Sequence, residues 1–395
     1  MNRYAAPEIA ENVFAVGSID WKRRVFDALA PTPLGTTYNC YLVKGGLKTA
    51  LIDTVHLGYE AELSGKIDQI LGSHAIDYVV MNHAEPDHAG SIPHILGQSP
   101  AVLLCSAKGA ELAKAYYGIP AERIRVVKDG DVIDLGGRTL KFIGAPFLHW
   151  PETIFTYLIE DRILFSCDFF GAHNTTGLFD DEAEDVVSWA KKYYGEIMMP
   201  LAKMARMGMA KIKDLPVNLI APSHGPIYRH PETILAEYAK WTNGETRAKV
   251  MVIYVSMYGT VERMVGTLVE GLLANGIEVR VLNLASSDIG EIAGQAVDAR
   301  AVVLAGPTVL NALHPLAQFA AMAIKTSKPP FKYGVIMNSY GWGKGAVKQG
   351  LEFFEEMGIE LVDTVEVKGT PAADDFSRIG DVAGQLAAKI LADGR

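Results

Sequence analysis

His83-Ala-Glu-Pro-Asp-His-Ala-Gly-Ser91 follows directly on the apolar run Ile76-Asp-Tyr-Val-Val-Met-Asn82. Four side chains able to hold a metal, His83, Glu85, Asp87 and His88, fall within six residues. The run before them reads as a buried strand. A strand end holds the backbone, and the loop after it fans side chains into one cavity. Proline and glycine inside the loop predict a sharp path rather than a helix. A solvated polar turn is the plain alternative. Four ionisable groups straight after an apolar strand are costly to place there unless something neutralises them.

Three further candidates close other apolar runs. His149 ends Phe142-Ile-Gly-Ala-Pro-Phe-Leu-His, Asp168 ends Ile163-Leu-Phe-Ser-Cys-Asp, and His224 lies in Leu219-Ile-Ala-Pro-Ser-His-Gly. Alone, each reads equally well as a cap or a satisfied core residue. Together the seven comprise four His, two Asp and one Glu. Seven exceed what one tetrahedral zinc takes. They suit two metals about 3.5–4 Å apart that share a carboxylate. Imidazoles and carboxylates without thiolate suit iron, manganese or zinc rather than copper(I).

Outward from this stretch the chain divides into two rhythms. Up to about residue 245, short β runs separated by Gly and Pro turns alternate with helices near 58–71 and 108–117 and a helical stretch over 181–213. Two strand-rich blocks with helices outside them predict an α/β/β/α sandwich. From Lys249 the pattern becomes strict β-α alternation. Strands begin at Val250, Glu278, Ala301, Tyr333 and Leu361, with helices near 261–274, 314–326, 344–357 and 374–392. Five apolar strands with crossover helices predict a doubly wound parallel sheet. The expected domains are residues 1–247 and 248–395.

Hydrophobic residues make up 49% of the 395, enough for more than one core. A formal net charge of −9 argues against nucleic acid or an anionic membrane surface as a partner. No apolar run reaches membrane-spanning length, and Met1-Asn-Arg-Tyr-Ala-Ala-Pro-Glu8 lacks a secretory core. The three cysteines, Cys40, Cys105 and Cys167, form no C-x-x-C. That excludes a rubredoxin-type or zinc-ribbon site within this chain and fits a reduced, cytoplasmic compartment. They read as small buried apolar residues. His56, His74, His94, His230 and His314 read as structural.

In the second half, the first strand runs into Ser256-Met257-Tyr258-Gly259-Thr260-Val261-Glu262. Hydroxyls and a glycine at a helix start bind a phosphate through backbone N–H groups and the helix dipole. The glycines are too few for a dinucleotide fingerprint, so one phosphate is expected. Gly306-Pro307-Thr308-Val-Leu-Asn311 and Asn338-Ser339-Tyr340-Gly341-Trp342-Gly343 follow the third and fourth strands. Their flat rings and close backbone approach suit an isoalloxazine, and such a loop is a poor way to fill a core.

The order His-x-Glu-x-Asp-His, then a distant His, Asp and His, resembles the metallo-β-lactamase fold. Most hydrolases of that fold have a second His where Glu85 stands. That departure, with a flavodoxin-like domain behind it, resembles the flavodiiron proteins over essentially the whole chain. The resemblance implies a diiron centre in which His83, Glu85 and His149 hold one iron, Asp87, His88 and His224 the other, and Asp168 bridges. It implies FMN held by Ser256, Tyr258, Gly259 and Thr260 at the phosphate, with Thr308, Asn311, Ser339, Tyr340, Gly341 and Trp342 around ribityl and ring. Met257, Val261, Pro307 and Gly343 belong to the same loops. His173 and one of Tyr193 and Tyr194, with Tyr194 preferred, are expected beside the irons. The implied activity is reduction of dioxygen to water, nitric oxide to nitrous oxide, or both. Electrons would come from a separate protein such as rubredoxin, in a homo-oligomer built of head-to-tail dimers. A zinc hydrolase with a regulatory flavin domain and a flavin electron carrier with a structural metal are the rival readings.

Overall fold

A computed structural model of the chain describes residues 6–72 and 75–393, so the reading of His74 lies outside the described residues. Two compact units emerge. The first comprises the segment up to Ala28, Thr32–Tyr193 and Leu201–Ala239; the second comprises Leu29–Pro31, Tyr194–Pro200 and the chain from Lys240. The division falls inside the helix Pro231–Thr242 rather than at 247/248.

The first unit is built on two packed sheets, with a two-stranded ribbon of Ser18–Asp20 and Thr36–Tyr38 beside them in the chain. Seven strands form one, in the order Glu8–Ala10, Val13–Ala15, Tyr41–Lys44, Thr49–Ile52, Tyr78–Val80, Val102–Cys105, Ile124–Val126. Five form the other: Val132–Asp134, Thr139–Gly144, Ile154–Leu158, Ile163–Cys167 and Leu219–Pro222. The period of two along each strand decides which core a side chain joins. Leu51, Val79 and Leu103 pack in one cluster with helix residues Leu63, Ile67 and Ile95. Their neighbours Ala50, Ile52, Val80 and Leu104 pack instead against Leu140, Phe142 and Phe165 of the other sheet. Continuous apolar runs are therefore required, because both faces of the seven-stranded sheet are covered.

Strand direction sets where the site forms. Ile163–Cys167 and Leu219–Pro222 are parallel. Thr139–Gly144 is antiparallel to Ile154–Leu158, which is antiparallel to Ile163–Cys167, so it runs the same way as both. The carboxyl ends of these three strands leave one edge of the sheet. Asn82, just past Tyr78–Val80, ties the other sheet to that edge. Its carbonyl accepts from Ile154 N at 2.9 Å and its side-chain oxygen accepts from Thr156 Oγ1 at 2.7 Å.

The second unit is a parallel sheet in the order Glu278–Asn283, Arg247–Tyr254, Ala299–Val309, Tyr333–Tyr340, Glu360–Lys368, with Ala312–Leu313 pairing antiparallel to the third strand. Val250, Val252 and Tyr254 pack against Val261, Met264, Val265 and Leu268 of the helix Thr260–Ala274. The order reverses beside the first strand, and a crevice opens at such a switch point.

Three local expectations fail. Pro86–Ala89 and Ile92–Gln98 are short helices, because proline suits the first helical turn, where it lacks no needed donor. The stretch 181–213 is not one helix: Val186–Tyr193 passes through a π turn, Tyr194–Met198, before Ala202–Ile212. The helix Ile289–Ala296, capped by Asp288, is absent from the sequence pattern, its short span being rich in Gly and Ala.

Candidate metal centre and cofactor cleft

All seven candidate ligands meet at that edge. One oxygen of Asp168 lies 3.0 Å from His88 Nε2 and 3.5 Å from His224 Nε2. The other lies 3.6 Å from His83 Nε2 and 3.5 Å from His149 Nε2. Glu85 Oε2 is 3.1 Å from His83 and 3.0 Å from His149, while Asp87 Oδ2 is 3.1 Å from His224 and 3.4 Å from His88. Two sets of donor atoms result, His83–Glu85–His149–Asp168 and Asp87–His88–His224, each within 4.8 Å, and a third grouping, His88–Cys167–Asp168, overlaps both. Asp168 is 1% exposed, between the left-handed Cys167 (φ 51°) and Phe170 (φ 74°). Such backbone strain gathers at functional sites.

The chemistry of this donor set fits a metal pair. Both Asp87 oxygens are buried without hydrogen-bond geometry to any partner. A buried carboxylate is tolerable beside a cation and costly without one. The protonation pattern agrees. Burial works against charge on His88, but the Asp87 and Asp168 carboxylates outweigh it and push the imidazole up to about 10. His149 is likewise pushed up to about 10, by Asp168 and Glu85 against its burial. Burial alone would raise Glu85 and Asp168; the imidazoles beside them hold both below the usual carboxylate range.

Around the donors lie further polar groups. His83 Nδ1 is 2.7 Å from Glu152 Oε1, and His224 Nδ1 is 2.6 Å from the Thr37 carbonyl. His173 Nδ1 is 2.8 Å from Thr36 Oγ1, and its ring lies edge-on to Tyr193 and His224, 5.0 Å from each. Tyr193 donates to Asp168 Oδ1 at 2.9 Å. Tyr194 donates instead to the Trp241 carbonyl at 3.1 Å, which corrects the preference for Tyr194. Adjacent helical residues point roughly 100° apart, so only one of the pair can face the pocket. Gly225 is left-handed at φ 77°, and a Cβ there would sit 2.4 Å from the Ala172 carbonyl.

The remaining histidines make other contacts. His56 Nε2 lies 3.4 Å from Arg23, His94 3.0 Å from Ser64 Oγ, and His314 caps the helix Pro315–Ser327. His230 is exposed, 3.8–3.9 Å from Glu232 and Asp181. The three cysteines are buried and unpaired, and burial pushes the Cys105 thiol up to about 12.

In the second unit a cleft of about 370 Å³ opens at the switch point. Ser256, Met257, Tyr258, Thr260, Val261, Pro307, Thr308, Ser339, Tyr340, Gly341 and Trp342 line it, joined by Gly369 and Thr370 after the fifth strand. Gly259 (φ 80°) opens the helix Thr260–Ala274. Thr308 Oγ1 donates to Asn338 Oδ1 at 2.9 Å, and Asn338 Nδ2 donates to the Gly306 carbonyl at 2.8 Å, locking two of the loops together. Of the expected residues, Gly259, Asn311 and Gly343 do not line the cleft. Asn311 and Gly343 pack on each other, so that a Cβ on Gly343 would run into Asn311 Oδ1. Trp342 and Tyr258 are 98% and 89% exposed at the rim, a wet place for large rings that serve only packing.

Sequence reasoning missed Glu152, Thr36, Gly369 and Thr370. Glu152 is three residues past His149, yet it reaches His83 across the sandwich, which no spacing rule anticipates. A Gly-Thr pair after the last strand was a legible signal for the fourth loop.

Known proteins resemble this chain along nearly its whole length. Residues 36–225 match the family model described as ODP family beta lactamase. The nitric oxide reductase of Moorella thermoacetica is 37% identical, over 97% of this chain and 98% of that protein. The rubredoxin oxygen:oxidoreductase of Desulfovibrio gigas superposes with a TM-score of 0.94 at 28% identity, covering 98% of this chain and 99% of that one. The flavodiiron protein of Giardia intestinalis gives 0.92 at 30% identity, over 98% and 97%.

Proposed function

The chain belongs to the flavodiiron proteins, and from that premise we propose that it reduces dioxygen, nitric oxide or both with electrons from a separate donor protein. Its cofactors are FMN and a pair of non-haem irons. When bound, they supply the electrons for the reduction and the coordination that a diatomic gas needs. Dioxygen takes four electrons and four protons to two waters; two nitric oxides take two of each to nitrous oxide and water.

The observation that carries this reading is Asp168, whose two oxygens face two different donor sets. His83, Glu85 and His149 would hold one iron, Asp87, His88 and His224 the other, with Asp168 shared. Glu85 adds a hard anionic donor where a hydrolytic zinc site would take a neutral imidazole, which favours iron in its higher oxidation state. Tyr193, hydrogen-bonded to Asp168, and His173, anchored by Thr36, would hold protons that the reduction consumes. The hydroxyls and amides of Ser256–Val261 would take the FMN phosphate, and Thr308, Ser339, Tyr340, Gly341 and Trp342 the ribityl and ring. Asn311 and Gly343 would shape the loops rather than touch the flavin.

A rubredoxin is proposed as donor and a head-to-tail homodimer as the working form; Tyr258 and Trp342 offer exposed rings for a partner to cover. No helix among the described residues is long and apolar enough to cross a membrane, and a cytoplasmic location is proposed from the thiol content.

The test is anaerobic. The purified protein is reduced, then given stoichiometric dioxygen or nitric oxide separately while iron, FMN and product are counted. Two irons and one FMN per chain, with rapid turnover of either gas, are expected. Zinc in place of iron, or slow flavin reoxidation that releases peroxide, would overturn the reading.

A further inference from the structure

We propose that Glu152 is a positioning residue that makes the two halves of the metal pocket unequal, orienting His83 and placing a negative charge behind that imidazole. Glu152 is 2% exposed. Its Oε1 lies 2.7 Å from His83 Nδ1 and accepts from Ala84 N at 2.9 Å. Ser106 Oγ donates to the Glu152 carbonyl at 2.7 Å, which pins the backbone that carries it. The contact fixes the tautomer of His83 with the proton on Nδ1 and turns Nε2 toward Glu85 and Asp168, at 3.1 and 3.6 Å.

The other half is built differently. His224 Nδ1 faces a neutral acceptor, the Thr37 carbonyl at 2.6 Å. His88 Nδ1 is buried with no hydrogen-bond partner. A carboxylate behind a ligating imidazole raises its basicity, and a carbonyl does so less. The His83 side therefore carries two carboxylates of its own: Glu85 among the donors and Glu152 behind them. The Asp87 side has one among its donors and none hydrogen-bonded behind its imidazoles; the buried Asp53 carboxylate accepts from Asn82 and acts on both His88 and His83 from further off. Extra negative charge retains a cation more tightly and favours its higher oxidation state. The His83 side should accordingly hold its iron longer and give up the first electron on stepwise oxidation.

This inference rests on the two-metal reading of the pocket. Glu152→Gln isolates the charge. An amide oxygen can still accept from both Ala84 N and His83 Nδ1, so the hydrogen bonds survive and only the charge goes. Glu152→Leu removes both. FMN-loaded wild type and variants are compared by ferrous-iron retention against a chromophoric chelator, and by mediator potentiometry with paramagnetic resonance as the readout. For Glu152→Gln, one iron should bind about ten- to a hundredfold more weakly, the other as in wild type. The first oxidation should move to a more positive potential, with the second moving less. Thermal unfolding of the iron-free protein is followed alongside, so that a general loss of stability from the lost His83–Glu152 pair is told apart from weakening confined to one iron. Glu152→Gln with wild-type retention and potentials would reduce Glu152 to a structural role and overturn the proposal. So would equal weakening of both irons. Wild-type protein that retains no iron pair would overturn the two-metal reading itself, and this inference with it.

Discussion

Tyr193 and Tyr194 are neighbours with different work. The Tyr193 hydroxyl touches Asp168, and that of Tyr194 the Trp241 carbonyl. Tyr193→Phe should slow gas turnover on the order of 10²-fold if the hydroxyl serves proton transfer, with iron and FMN content retained. Tyr194→Phe should leave turnover alone and lower stability by about 1 kcal/mol, the net worth of a buried hydrogen bond. Stopped-flow gas consumption and thermal scans separate the two. The pocket also predicts a pH dependence for protein stripped of metal. The imidazoles of His88 and His149 are raised to about 10 from 6.5. A raised imidazole contributes stability that is complete below its unfolded value and lost as pH rises through its folded one. Metal-free protein should thus lose stability between pH 6.5 and about 10. Metal-loaded protein should show little of that loss, because its ligating imidazoles are already deprotonated. Denaturant midpoints across that range, with and without metal, check this.

Among the elements, the short connections carry the precision. The π turn Tyr194–Met198 widens the helical ladder just after Tyr193, a device common at functional sites. The turn after Leu219–Pro222 depends on Gly225, which is left-handed and lies against the Ala172 carbonyl. Gly225→Ala meets both obstacles and should cost about 1–3 kcal/mol. It should also displace His224, so that iron per chain falls while FMN per chain stays constant. Metal analysis and flavin absorbance on the same sample decide this; equal iron in both proteins would show that the turn yields without moving its neighbour.

At the scale of the whole molecule, the metal pocket is made entirely from the first unit and the cleft entirely from the second. A chelator should therefore strip iron and leave FMN in place. Gas consumption should cease while the flavin still accepts electrons from dithionite, seen as bleaching of its visible absorbance. Loss of FMN in step with iron would mean that the two sites are not independently built.

The architecture was legible in the sequence, and so were the seven residues that the fold brings together. Continuous apolar runs that end in polar residues are a local signal, and so is the change of rhythm at Lys249. The Glu85 position separated this chain from hydrolytic relatives of its first domain. Local pattern also located three of the four loops around the cleft. Packing in three dimensions set the rest: Tyr193 rather than Tyr194 meets Asp168, Asn311 and Gly343 pack on each other, and Glu152 stands behind His83. Those facts depend on helix phase through an irregular turn, or on contacts such as that of His83 with Glu152, 69 residues apart in the chain. A one-dimensional pattern records the chemistry of a side chain and the period of its element. It does not record which distant side chain the packing of two sheets will bring within hydrogen-bonding distance.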